Sequence, residues 1–131
     1  MAERRVVDHH GRTVVLIDSV AQVTGEDAGR IVVTGSHGGV SAADYAKAVR
    51  AALYVFNDAG IGRDEAGIAG LAMLDAAGIA ACAVGHTTAR IGDAADALDN
   101  GIVSRANALA TAAGFVPGVA LGTAIAHAAV G

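Results

Sequence analysis

Apolar residues in this chain gather into short β-branched runs, separated by longer stretches in which alanine and leucine recur at helical spacing. Residues 12–17 (Arg-Thr-Val-Val-Leu-Ile), 31–34 (Ile-Val-Val-Thr), 53–56 (Leu-Tyr-Val-Phe) and 79–84 (Ile-Ala-Ala-Cys-Ala-Val) read as buried strands. Helices are predicted between and after them. One covers 42–51, with Ser41 as a hydroxyl N-cap and Asp44 three residues on. A second covers 64–77, with two acids in its first turn and Gly78 as its stop. Ile68, Leu71, Ala72 and Leu74 give that helix an apolar stripe, and Gly67 and Gly70 permit close packing. Further helices are expected at 93–100, opened by Asp93, at 102–113, closed by Gly114, and at 119–129 after the Pro117-Gly118 turn.

Residues 1–11 are polar and read as a flexible segment, leaving 12–131 as a single α/β domain. The connection after the first strand has two readings. Val15, Ile17, Ser19, Ala21 and Val23 alternate with their neighbours, which allows a long strand and a hairpin at 24–29. A crossover to a parallel strand is the other. Strands alternating with helices imply βαβ units, and so a mainly parallel sheet of about four strands flanked by helices, in Rossmann-like or flavodoxin-like layering. Right-handed crossovers then put the strands' carboxyl ends on one edge, where ligands of open α/β sheets bind.

Composition changes this picture in two ways. The chain is 53% hydrophobic but only 3% aromatic, with 18 glycines, so its core must rely on close backbone approach rather than on bulky rings. A mean hydropathy of +0.49 with 17% charged residues leaves more apolar surface than a small globule hides, which predicts a homo-oligomer. The net charge of −4 and scattered basic residues give no footprint for nucleic acid. Residues 66–85 are apolar enough to suggest a membrane span, but Asp75 at their middle and the helix stop Gly78 argue against one. A single cysteine, Cys82, excludes an intrachain disulfide. With no export signal at residues 1–10, a cytoplasmic protein is expected.

Three of the predicted strands end in polar residues. Thr34-Gly-Ser-His-Gly38 approaches the nucleophile elbow G-x-S-x-G, with Thr34 in place of the first glycine. Ser36, Asp58 and His86 occur in the chain order of a hydrolase triad, making Ser36 a candidate nucleophile. The same turn reads equally as an anion cradle, in which Gly35, Gly38 and Gly39 free backbone amides at a helix start, or as a tight turn needing glycine for its dihedrals alone. Asn57 and Asp58 follow the next strand. Asp58 is a candidate base or orienting carboxylate, and an Asx turn is the plain alternative. His86 suits proton transfer, with His37 in reserve, and Asn57, Thr87 and Arg90 are candidate substrate contacts. Arg90 could equally pair with Asp93, and Arg63 with Asp64 and Glu65 reads as a surface network.

His37, His86 and Asp58 are ligand types for zinc or iron, but no pair has local chelate spacing, so no metal and no other cofactor is expected. His127 reads as a packed or interface histidine, and Cys82 as a weak nucleophile. No Walker A loop or dinucleotide fingerprint occurs. The expectation is a small enzyme acting on a small polar metabolite bearing a carboxylate, amide or phosphate. Hydrolysis (a hydrolase) comes first, and elimination or isomerisation (a lyase or isomerase) next. The alternatives are a non-catalytic small-anion-binding or regulatory module, and an assembly subunit.

Overall fold

Val6 and Val7 lie in the stretch expected to be flexible, yet they belong to a regular strand. The computed structural model describes residues 4–128, and in it β1 (Arg4–His9) pairs antiparallel with β2 (Arg12–Ile17). His10 and Gly11 form the connection with φ of 52° and 84°, the pair of positive values that a tight two-residue hairpin demands. Val7 packs on the core and Arg4 forks onto the buried carboxylate of Asp27, so the segment is fastened from both faces.

The chain then crosses to β3 (Ile31–His37), which runs parallel to β2. The hairpin reading of this connection is therefore incorrect. Two short 3-10 turns, Val20–Gln22 and Gly25–Asp27, carry the chain over instead, the first held by a capping box between Ser19 and Gln22. Helix α1 (Val40–Lys47) leads to β4 (Leu53–Asn57), and α2 (Gly70–Ala76) leads to β5 (Ala81–Val84), both strands again parallel. Helix α3 (Ala94–Asn100), capped by Asp93 as expected, returns the chain to β6 (Val103–Ala106), antiparallel to β5. Helices α4 (Ala108–Ala112) and α5 (Leu121–His127) complete the described chain.

The result is a mixed sheet of six strands in the order β1-β2-β3-β4-β5-β6, not a mainly parallel sheet of about four. Its central strands are the four predicted ones. Both added strands are antiparallel edges. The expected helix 102–113 divides because Val103 exchanges backbone bonds with Val119 and Gly118, while Asn107 caps a new helix by accepting from the Ala110 amide. The expected helix 64–77 shortens because Asp64 and Glu65 hold φ of 55° and 57°, which no α-helix accommodates. Helix α1 starts earlier than predicted, with the extended Gly39 as its N-cap and Ser41 inside its first turn. Val119 pairs with β6 before α5 begins, and position 129 of the expected last helix lies outside the described residues.

Alternate residues of the strands face two separate cores. Helices α1 and α2 cover Val15, Ile17, Val32, Tyr54 and Phe56 on one face. Helices α3 and α5, with Phe115, cover Val14, Leu16, Ile31, Val33, Leu53 and Val55 on the other. Small residues make this close packing possible. A Cβ on Gly35 would lie 2.4 Å from backbone atoms of Gly92 and Asp93, where the chain entering α3 crosses β3. This arrangement has a consequence at the carboxyl edge. The chain leaves β4 towards one face of the sheet and leaves β5 towards the other. In open α/β sheets, ligands commonly bind where neighbouring connections diverge in this way. Among the described residues, no helix is long and apolar enough to cross a membrane.

Candidate active site at the ends of the fourth and fifth strands

Asp58 stands one residue past β4 and continues the ladder, its amide donating to Val84 O at 2.8 Å. Its side chain is buried and accepts three hydrogen bonds. Oδ1 receives the amides of Gly60 (2.8 Å) and His86 (3.0 Å), and Oδ2 receives the Ser104 hydroxyl at 2.7 Å. Burial alone would raise this carboxyl's pKa. The Ser104 hydroxyl, the two amides and the facing imidazole outweigh it and hold Asp58 below the usual carboxylate range, hence ionised at neutral pH.

His86 lies two residues beyond β5, with Nδ1 3.4 Å from Asp58 Oδ1 and a side chain 55% exposed. That separation is a few tenths of an ångström beyond a good N–H···O bond. An ionised carboxylate on this side favours the tautomer protonated at Nδ1, which leaves Nε2 as the basic nitrogen. Gly60 underlies the ring, and an added Cβ there would touch it at 3.5 Å.

The backbone between Asp58 and α2 is unusual. Ala59, Ile61, Asp64 and Glu65 all hold positive φ, and for β-branched Ile61 a value of 67° is a clear outlier. Such geometry persists only where surroundings enforce it. Here Asp58 O accepts from Ile61 N at 2.6 Å, Ile61 O accepts from Gly67 N at 2.8 Å, and Gly67 packs so closely that a Cβ would fall 2.0 Å from Asp58 O. Asp58 is thus fixed by its backbone as well as by its carboxylate.

The other predicted residues divide by position. Asn57 is buried and links two loops, accepting from Ala59 N at 2.8 Å and donating to Ala89 O at 2.9 Å. Thr87 and Arg90 are exposed on the loop that carries His86. The amide of Arg90 donates to Asp96 Oδ2 at 2.7 Å, and the carboxylate influenced by the Arg90 charge is that of Asp96. Asp93 instead caps α3.

Ser36 and His37 belong to β3 itself rather than to a turn after it. The Ser36 hydroxyl accepts from Val20 N at 2.9 Å, and Thr34 Oγ1 donates to Val55 O, so both hydroxyls tie β3 to its surroundings. Ser36 sits two strand positions from β5, on the order of 10 Å away. The amide of Gly35 donates to Asp18 O (3.1 Å), that of Gly38 to Gly67 O (2.8 Å), and Gly39 O accepts from Ala43 at the start of α1. His37 is exposed, its ring against Gly39, beside a cleft of about 170 Å³ shared with Ser36 and Tyr45. The structure therefore joins Asp58 to His86 and engages Ser36, Gly35 and Gly38 elsewhere.

Ser104 is the residue that sequence reasoning missed, because it fell inside the expected helix 102–113. Asn107, a strong N-cap residue, was the available sign that a helix begins only after it. No group of three His, Cys, Asp or Glu suited to a metal occurs among the described residues. Burial pushes the Cys82 thiol up to about 12. His127 is exposed and lines, with His9, His10 and Asp99, an open cavity of about 520 Å³ beside α5. A second cavity of about 350 Å³ lies between α2 and β6. The Asp58–His86 pair lines neither of these two; it sits on the exposed rim of the sheet. Comparison with protein-family models, curated proteins and solved structures finds no match to this chain.

Proposed function

We propose that this chain is an acid–base enzyme acting on a small polar metabolite, with His86 as the proton-transfer group and Asp58 as the carboxylate that orients it. One observation carries the reading: a buried carboxylate, kept ionised by three donors, faces a single imidazole whose ring is more than half exposed. Hydrolysis is the reaction this pair suits best. His86 Nε2 takes a proton from an attacking water, Asp58 stabilises the imidazolium that forms, and the proton then passes to the leaving group. Ser36 has no part in this scheme, since its hydroxyl is engaged with Val20. Thr87 and Arg90, on the same loop as His86, bind the carboxylate, amide or phosphate of the substrate. Elimination or isomerisation would use the same two residues without the water.

The test is a panel of chromogenic esters, amides and phosphate monoesters, assayed with the wild type, His86→Ala and Asp58→Asn. Turnover of one class by the wild type and its loss in folded His86→Ala supports the proposal. Full turnover by that variant refutes it. Binding of a small anion without any turnover would favour a regulatory module instead.

A further inference from the structure

The two edges of the sheet are finished differently. Along β6, Val103 donates to Val119 O at 2.9 Å and accepts from Gly118 N at 2.8 Å, and Ile102 bridges Ala120, so a loop covers that edge. Among the described residues β1 pairs with β2 alone. Native edges are usually protected by charged side chains, a proline, a bulge or a very short strand, and of these β1 has only the charges of Arg4, Arg5 and Asp8. β1 has six residues, no proline and an unbroken register with β2, and its Val6 is 52% exposed. Arg4, Val6 and Asp8 share one face of the strand; Arg5, Val7 and His9 share the other, where Val7 packs on the core and His9 Nε2 meets Gly122 O at 2.8 Å.

We infer that this edge is a homodimer interface, filled by β1 of a second copy of the chain lying antiparallel about a two-fold axis normal to the sheet. That operation keeps each sheet face on its own side, so a residue can stand opposite only one of its own face. The charges then choose among the few registers left. Pairing centred on Arg5 or on Asp8 sets a like charge against itself, and pairing centred on Val7 sets Arg5 against His9. Pairing centred on Val6 sets the two exposed valines together and places Arg4 of each copy opposite Asp8 of the other. The Arg4 guanidinium, already forked onto Asp27, has further N–H groups for this second carboxylate. Joining two sheets this way gives one continuous sheet of twice the width, and the occupant is selected by its own charge pattern.

Because Val6 stands opposite itself, the test can use charge at a single position. Sedimentation equilibrium of the full chain should give twice the monomer mass of 12.8 kDa for the wild type and for Val6→Thr. Val6→Lys and Val6→Asp should each sediment as monomers, with circular dichroism and thermal unfolding confirming that they are folded. Mixing these two variants should restore a one-to-one dimer, because unlike charges then meet at the axis. A wild type that stays monomeric at high concentration, or a Val6→Lys protein that stays dimeric, overturns the inference.

Discussion

The carboxyl end of β3 and the paired ends of β4 and β5 look alike in sequence, each a run of apolar residues emptying into glycine and polar side chains. In the folded chain they do opposite things. At β3 the polar groups hold the fold: Ser36 binds the Val20 amide, Gly35 binds Asp18 and Gly38 binds Gly67. At β4 and β5 the chain departs to opposite faces of the sheet, and a carboxylate and an imidazole are left facing each other on the rim. A strand, a glycine turn and a helix start are thus not enough to set an acid and a base face to face. At β4 and β5 that pairing accompanies connections that leave towards opposite faces of the sheet.

The sharpest way to break this contrast is to remove one side chain from each end. His86→Ala should lower kcat by about 10²–10⁴-fold, the usual worth of a general acid–base group. Ser36→Ala should leave kcat within about threefold and instead cost about 1 kcal/mol in urea unfolding, because it removes an acceptor from the Val20 amide. The opposite pattern would move the proposed active site to β3.

Backbone packing gives the next largest effect. Gly67→Ala forces a Cβ to within 2.0 Å of Asp58 O, and neither atom can yield without displacing the strained 59–65 loop. Urea unfolding should show a loss of about 3 kcal/mol or more, at the upper end for overpacking. Turnover should fall with it, since Asp58 must shift. Gly35→Ala meets backbone as closely, at 2.4 Å, yet should reduce stability with a smaller effect on kcat per unit of stability lost. Equal loss of turnover in both variants would mean that the two strand ends are one site.

The sequence makes the strand ends legible but not the partners of their polar groups, for physical reasons. β-Branched runs between glycine-punctuated helical stretches were sufficient to predict β2 to β5 and their shared edge, and Asp58 and His86 follow from it. Gly35 looked like an anion cradle because glycine serves both dihedral freedom and close approach. Its partners, Gly92 and Asp93, come from a distant loop. β6 was hidden by the alanine-rich stretch that continues past it into α4, and β1 by a hairpin turn whose glycine follows a histidine rather than asparagine or aspartate. The hydrogen bond from Ser104 to Asp58 joins residues 46 apart, and no local periodicity reports such a pair.

Acid titration sharpens the electrostatic side of the comparison. The folded-state pKa of Asp58 lies below its unfolded value, so its stabilisation is complete above the unfolded pKa of about 4 and fades as pH falls through the folded value. Wild type and Asp58→Asn should therefore differ most in urea-unfolding stability near pH 6, with the gap narrowing as pH falls below about 4. Asp27, held ionised by Arg4 and the Thr24 amide against the cost of burial, acts in the same direction and should leave a residual acid slope in Asp58→Asn. If that variant matched the wild type at pH 6, Asp58 would contribute no charge-dependent stability.

The smallest effect separates positioning from proton transfer. The Ser104 hydroxyl donates at 2.7 Å to the Asp58 oxygen turned away from His86. Of the influences lowering the Asp58 pKa it is the largest, so Ser104→Ala should raise the acid midpoint of unfolding and cost about 1 kcal/mol near neutral pH. Turnover should drop by about tenfold, the low end of what losing a supporting hydrogen bond costs, because His86 and its contact with Asp58 survive. Ser104→Thr, which keeps the hydroxyl, should recover both the acid midpoint and the rate. A Ser104→Ala protein as inactive as His86→Ala would instead make this hydroxyl part of the reacting set, and the site would then be a triad built across β4, β5 and β6.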